Sequence, residues 1–163
     1  MDQSPRLLPV GLNAAKTGRT VLLPLELHNV HSRFVVDTGS VVTVVSSTIY
    51  NSIPEHRRPP LHPAKEPVKL EMANKELMDI QGVATMKVVA SGQCFEWQMY
   101  MAPIADDGLM IGMDFLYAHE YVLSARAGMK LSGKKIATET QDVALRAMRI
   151  TASTDTVVPA NSQ

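Results

Sequence analysis

Asp37 stands at the junction of two apolar, β-branched runs, in the stretch Phe34-Val35-Val36-Asp37-Thr38-Gly39-Ser40-Val41-Val42-Thr43-Val44-Val45. Valine fills half of these positions, so the flanks read as buried strands. A carboxylate between them must be hydrogen-bonded, paired with a charge, or neutralised by taking up a proton. Held on rigid elements, such a group is suited to acid–base work on a bound molecule. An isolated Asp-Thr-Gly is also an ordinary acidic turn at the end of a strand. What singles this one out is a second motif downstream, Leu109-Met110-Ile111-Gly112-Met113-Asp114-Phe115-Leu116, in which two apolar residues and a glycine precede a short helical pattern.

The elements that must hold these motifs are short strands separated by turn signals. Strand-like runs cover Val21 to Leu27, His31 to Val36, Val41 to Ser46, Val68 to Met72, Leu77 to Val89, Cys94 to Ala102 and Leu109 to Ile111. Hairpin turns are expected at His28-Asn29, Ala90-Ser91-Gly92-Gln93, Asp106-Asp107-Gly108 and Ser132-Gly133. One short helix is expected over Asp114 to His119, with the Asp114 carboxylate capping the next amides. Five prolines between residues 51 and 67 exclude a central strand there and predict an extended surface loop. The fold class is therefore all-β. Residues 1–17 read as a loosely ordered arm or one edge strand. Asp142 to Ile150 fits helix or strand, and the segment after it reads as a linker.

At 163 residues, with 45% hydrophobic and 20% charged content, the chain suits one domain with tails. Sixteen basic residues balance sixteen acidic ones, which leaves no overall field to attract nucleic acid or anionic lipid. The single cysteine, Cys94, excludes an intrachain disulfide framework and fits a reducing, intracellular and cytoplasmic setting. No apolar run approaches a membrane span, and Met1 to Val10 lacks the pattern of a signal peptide.

The two motifs in this order resemble the retropepsin family, the homodimeric aspartic proteases of retroviruses and long-terminal-repeat retrotransposons. The resemblance covers about residues 20 to 137. It rests on Asp37-Thr38-Gly39-Ser40 with Thr43 following, and on Met110-Ile111-Gly112 downstream. Met72-Ala73-Asn74-Lys75 ahead of Gly82, then Asp107-Gly108-Leu109 and Gly112-Met113-Asp114-Phe115-Leu116, are similar to the gypsy-type retrotransposon branch. The tail Thr156 to Gln163 is similar to the segment joining protease to reverse transcriptase there, which implies a piece of a longer polyprotein. The resemblance implies a closed, mostly β acid-protease barrel with one short helix, forming half of a homodimer. It divides the chain into an arm at 1–17, a protease domain at 18–137 and a connecting segment at 138–163.

Chemistry leads to the same dimer. Hydrolysis of a peptide by carboxylates needs one group to take a proton from water and another to polarise the carbonyl. Only one Asp-Thr-Gly is present. A twofold axis through the site supplies the second copy from an identical subunit. Two Asp37 side chains brought close would share one proton, as is general for aspartic proteases. The resemblance gives Asp37 the catalytic role and Thr38, Gly39 and Ser40 a supporting one. Ala73, Asn74 and Lys75 fall at the flap that closes over an extended peptide substrate, with Lys75 where a flap glycine is common. Partners are a second copy of the chain and a polyprotein peptide, with apolar residues on both sides of the cut. No metal or other cofactor is called for.

Other readings are blander. Asp106 and Asp107 fit a solvated turn better than a metal loop, and His28, His31, His56, His62 and His119 show no zinc spacing. Arg57 to Pro63 matches a basic residue followed by P-x-x-P, although a plain proline loop explains it better. Met99, Met101 and Met110 suit core or an adaptable cleft, and Trp97 and Cys94 read as packing residues. The alternative function is a noncatalytic dimerisation or peptide-binding module on the same scaffold.

Overall fold

Alternation of apolar and polar residues along the central strands requires one face of each to be covered, and closing the sheet on itself does so. The computed structural model describes residues 4–10, 19–72, 74–104 and 109–142. Ala73, the Asp106-Asp107-Gly108 turn, Asp142 to Ile150 beyond its first residue, and the tail from Thr156 lie outside the described residues.

The strands in chain order are β1 (Arg6–Pro9), β2 (Arg19–Leu27), β3 (Val30–Val36), β4 (Val44–Ser46), β5 (Val68–Glu71), β6 (Leu77–Asp79), β7 (Gly82–Ala90), β8 (Gln93–Ala102), β9 (Leu109–Ile111), β10 (Val122–Ser124), β11 (Gly128–Leu131), β12 (Lys134–Ile136) and β13 (Glu139–Asp142). The main sheet runs β13-β2-β3-β9-β4-β8-β7, and pairing of Glu26 and Leu27 on β2 with Val89 and Val88 on β7 closes it into a six-stranded barrel. Its core holds Leu23, Leu27, Phe34, Met86, Met99, Phe115 and Met129, all essentially inaccessible. Each such side chain contributes roughly 1.5–3 kcal/mol by leaving water.

Two smaller sheets flank the barrel. β10, β11 and β12 form a meander whose Ser132-Gly133 turn has φ of 51° and 81°. β5 and β6 form a hairpin, and β1 adds to the free edge of β5 in parallel, from Arg6 opposite Val68 to Pro9 opposite Glu71. A second apolar cluster joins this small sheet to the barrel: Leu8, Val10 and Leu70 meet Val42, Val44, Ala102 and Ile104.

The expected elements recur with instructive differences. The expected strand Val41 to Ser46 begins only at Val44, because residues 41–43 belong to the loop that follows Asp37. Leu77 to Val89 is two strands, broken at Ile80-Gln81 ahead of Gly82, whose φ is 152°. Among the described residues there are two short helices rather than one, α1 (Ser47–Ser52) and α2 (Met113–Ala118), besides a 3-10 turn at Glu55–Arg57 inside the proline loop. Ser46 caps α1 by accepting from the Ile49 N–H at 3.2 Å, while burial of Tyr50 and Ile53 anchors the segment. α2 is capped at Gly112, so Asp114 lies in its first turn, and the helix amide that its carboxylate accepts from is Phe115 N–H, at 2.7 Å. Cys94 is exposed on β8 rather than buried in the core. Met99 and Met101 are buried in the barrel core, whereas Met110 packs on the second cluster.

Candidate active site

β3 and β4 are consecutive in the chain but are not neighbours in the sheet. β9 lies between them, parallel to β3 with Val36 opposite Ile111 and antiparallel to β4 with Val44 opposite Met110. The loop 37–43 must therefore pass over the end of β9, and Asp37 opens that crossing. Its backbone N–H donates to the Ile111 carbonyl at 3.0 Å, which fixes the start of the loop to β9.

Asp37 is 4% exposed. Its Oδ1 accepts from the Gly39 N–H at 2.8 Å, and the Ser40 N–H donates to the Asp37 carbonyl at 3.0 Å, so the Asp-Thr-Gly-Ser turn is closed on the carboxylate itself. Buried Ser40 donates from Oγ to the Val42 carbonyl at 2.7 Å, which stiffens the rest of the crossing. Thr38 is exposed at the outside of the turn.

The crossing leaves no room beneath it. A Cβ on Gly112 would fall 2.8 Å from the Ser40 carbonyl oxygen and closer still to the Val42 carbonyl. Glycine there lets the chain turn directly from β9 into α2, whose first amides then bond the loop: Met113 N–H to the Ser40 carbonyl at 2.8 Å and Asp114 N–H to the Val41 carbonyl at 3.2 Å.

Thr43 and Asp114 lock the far side. Fully buried Thr43 donates from Oγ1 to Asp114 Oδ1 at 2.8 Å and accepts from the Gly112 N–H at 3.1 Å. Asp114 Oδ2 accepts from the Thr43 N–H at 3.2 Å and from the Trp97 indole N–H at 3.0 Å. With Phe115 N–H, four donors converge on this carboxylate, enough to offset its partial burial. Sequence reasoning placed Asp114 as a helix cap and Trp97 as packing, and missed this link. The signal was there: an acid two residues after Gly112, and an indole N–H that needs an acceptor when buried.

Asn74 and Lys75 lie at the tip of the β5–β6 hairpin. The tip is a closed turn: Lys75 N–H donates to the Met72 carbonyl at 2.9 Å, and Asn74 Oδ1 accepts from the Glu76 N–H at 3.0 Å. Lys75 has φ of 74°, the left-handed conformation that glycine adopts freely. The hairpin is joined to the Asp37 loop through β1, since Val10 N–H donates to the Glu71 carbonyl at 3.0 Å and the Pro9 carbonyl accepts from the Val41 N–H at 2.8 Å.

Among the described residues no three His, Cys, Asp or Glu side chains gather to hold a metal ion. No described helix is long and apolar enough to cross a membrane. A rigid, buried carboxylate at a loop crossing, beside a hairpin, is equipped for proton transfer to and from water and a bound polar group.

No protein-family model and no curated protein sequence matches the chain. Solved structures do match it. The retroviral protease-like domain of Ddi1 from Leishmania major superposes with a TM-score of 0.59 at 14% identity, over 74% of this chain and 94% of that one. EIAV protease in complex with the inhibitor HBY-793 superposes at 0.54 and 16% identity, over 71% and 99%. A retropepsin-like aspartic protease from Rickettsia conorii gives 0.43 at 14% identity, over 76% and 90%. The first two show that the chain has the retropepsin-like fold.

Proposed function

We propose that the protein is an aspartic endopeptidase, active as a symmetric homodimer in which each subunit contributes one Asp37. The observation that carries this reading is the buried Asp37 carboxylate, held by its own Gly39 N–H at a loop crossing braced by Gly112, Thr43 and Asp114. A base held this firmly costs little reorganisation when it takes a proton. The likeness to EIAV protease, which is solved with an inhibitor bound, supports the same reading.

In the dimer one ionised Asp37 takes a proton from a water molecule lying between the pair. The protonated Asp37 of the second copy hydrogen-bonds to the scissile carbonyl as the tetrahedral intermediate forms, and its proton passes on toward the leaving amine. Thr38, exposed at the outside of the turn, is the residue assigned to meet its twin across the axis. Gly39 and Ser40 hold the turn. Ala73, Asn74 and Lys75 form the flap over the substrate, and residues 18–137 make up the protease domain between an arm and a connecting segment. The residues similar to the gypsy-type branch point to polyprotein processing as the task, and the lone Cys94 suits a reducing intracellular compartment.

The test is cleavage of an unstructured protein by wild type and by Asp37→Asn across pH 4 to 7. The reading predicts that the variant remains folded and loses cleavage by at least about a thousandfold, the scale on which losing an essential catalytic group acts. Equal activity of the two proteins would sink it. A folded, dimeric wild type that cleaves nothing would transfer the assignment to a noncatalytic peptide-binding module.

A further inference from the structure

β1 lies between the hairpin edge and the Asp37 loop and is bonded to both. On one side Arg6 N–H donates to the Pro67 carbonyl and Val10 N–H to the Glu71 carbonyl, each at 3.0 Å, so the segment extends the hairpin edge. On the other side the Pro9 carbonyl accepts from the Val41 N–H at 2.8 Å, four residues beyond Asp37. The segment thus bridges the hairpin and the Asp37 loop by main-chain bonds that do not depend on its sequence, the hallmark of strand addition.

Its side chains alternate. Leu8 and Val10 are 3% and 1% exposed and fill the cluster formed by Leu70 of the hairpin, Val42 of the loop, and Val44, Ala102 and Ile104 of the barrel. Leu7, between the two bonded ends, is 45% exposed. If the segment left, the edge of β5, the Val41 N–H and a continuous apolar trough would all lose their partners. The strand is four residues long, and Arg6 also meets Glu66 at 3.8 Å in an outward ion pair.

We infer that residues Arg6 to Val10 are a tethered occupant of the peptide groove, displaced when substrate binds. The groove then takes extended peptides that run parallel to β5 and carry aliphatic residues two positions apart, in the pattern Leu-x-Val. This rests on the protease reading for its consequence, which is self-inhibition by competition. A segment carried on the same chain as its groove has an effective concentration on the order of 1 mM, so one whose free peptide binds with a Kd of about 100 μM raises the apparent KM roughly tenfold.

The experiment measures binding of a fluorescein-labelled peptide spanning Ser4 to Val10 by anisotropy. It uses the full chain in an Asp37→Asn background, so absence of proteolysis does not affect the readout. Three proteins are compared: the unaltered N-terminal sequence, Leu8→Asp with Val10→Asp, and Leu7→Asp. The inference predicts binding about tenfold tighter to the double variant than to the other two. Equal binding to all three, or no binding to a folded double variant, would overturn it. If the double variant does not fold, hydrogen exchange of the unaltered chain decides. Exchange of the Arg6 and Val10 amides much faster than that of the Met86 amide in β7 supports an exchangeable strand, and exchange at the same slow rate makes β1 a fixed part of the fold and overturns the inference.

Discussion

Thr43 contributes more to the site than its size suggests. Its hydroxyl is at once a donor to Asp114 and an acceptor for the Gly112 amide, so it ties the end of the Asp37 loop to both β9 and α2. Replacing it with the isosteric valine leaves a buried N–H and a carboxylate short of a donor. Thr43→Val is expected to destabilise the chain by about 2–4 kcal/mol, measurable by urea denaturation, whereas Thr43→Ser should retain most of that stability. His28 is a second residue with a defined consequence. It lies in the β2–β3 turn, its Nε2 accepts from the Lys87 N–H at 3.1 Å, and burial followed by the Lys87 charge holds its pKa below the ordinary 6.5. The unfolded chain therefore binds this proton more readily than the folded one. Stability from His28 is complete above pH 6.5 and is lost as pH falls below it toward the folded value. His28→Asn, which tolerates the turn's φ of 48°, should flatten the decline of the urea midpoint between pH 7 and 5, and an unchanged profile would refute this.

At the scale of elements, the crossing loop and the helix beneath it behave as one unit. Gly112→Ala must push a methyl into the Ser40 and Val42 carbonyls, which can move only by lifting the loop off β9. The expected result is a loss of about 3 kcal/mol or more, beyond the usual range for overpacking because the neighbours are backbone, together with loss of cleavage. An alanine variant of normal stability and activity would mean that the loop is freer than its hydrogen bonds indicate. The motif that makes this unit was readable in the sequence because its determinants are local: an acid and a glycine after a valine run, and a glycine after a second apolar pair. α1 was not readable, since Ser46-Ser47-Thr48 continues a β-branched run and only the cap and the burial of Tyr50 and Ile53 turn it helical. β1 was readable as an edge strand at most. Its partner β5 is some sixty residues away in the chain, and nothing in two prolines and two leucines indicates which edge they join. The meander β10 to β12 announced itself only through its Ser132-Gly133 turn.

For the molecule as a whole, one subunit supplies one Asp-Thr-Gly, and the proposed chemistry requires two. That requirement makes activity a property of subunit pairs, so specific activity should rise with protein concentration until the dimer is saturated. The same logic gives a sharper measurement. Wild-type and Asp37→Asn subunits are refolded together at constant total concentration and varied ratio, and cleavage of an unstructured protein is followed. If each working site needs one intact Asp37 from each subunit, the rate falls as the square of the wild-type fraction, because mixed dimers are silent. A rate that falls in direct proportion to the wild-type fraction would mean that each subunit works alone, and would contradict a site shared across a twofold axis.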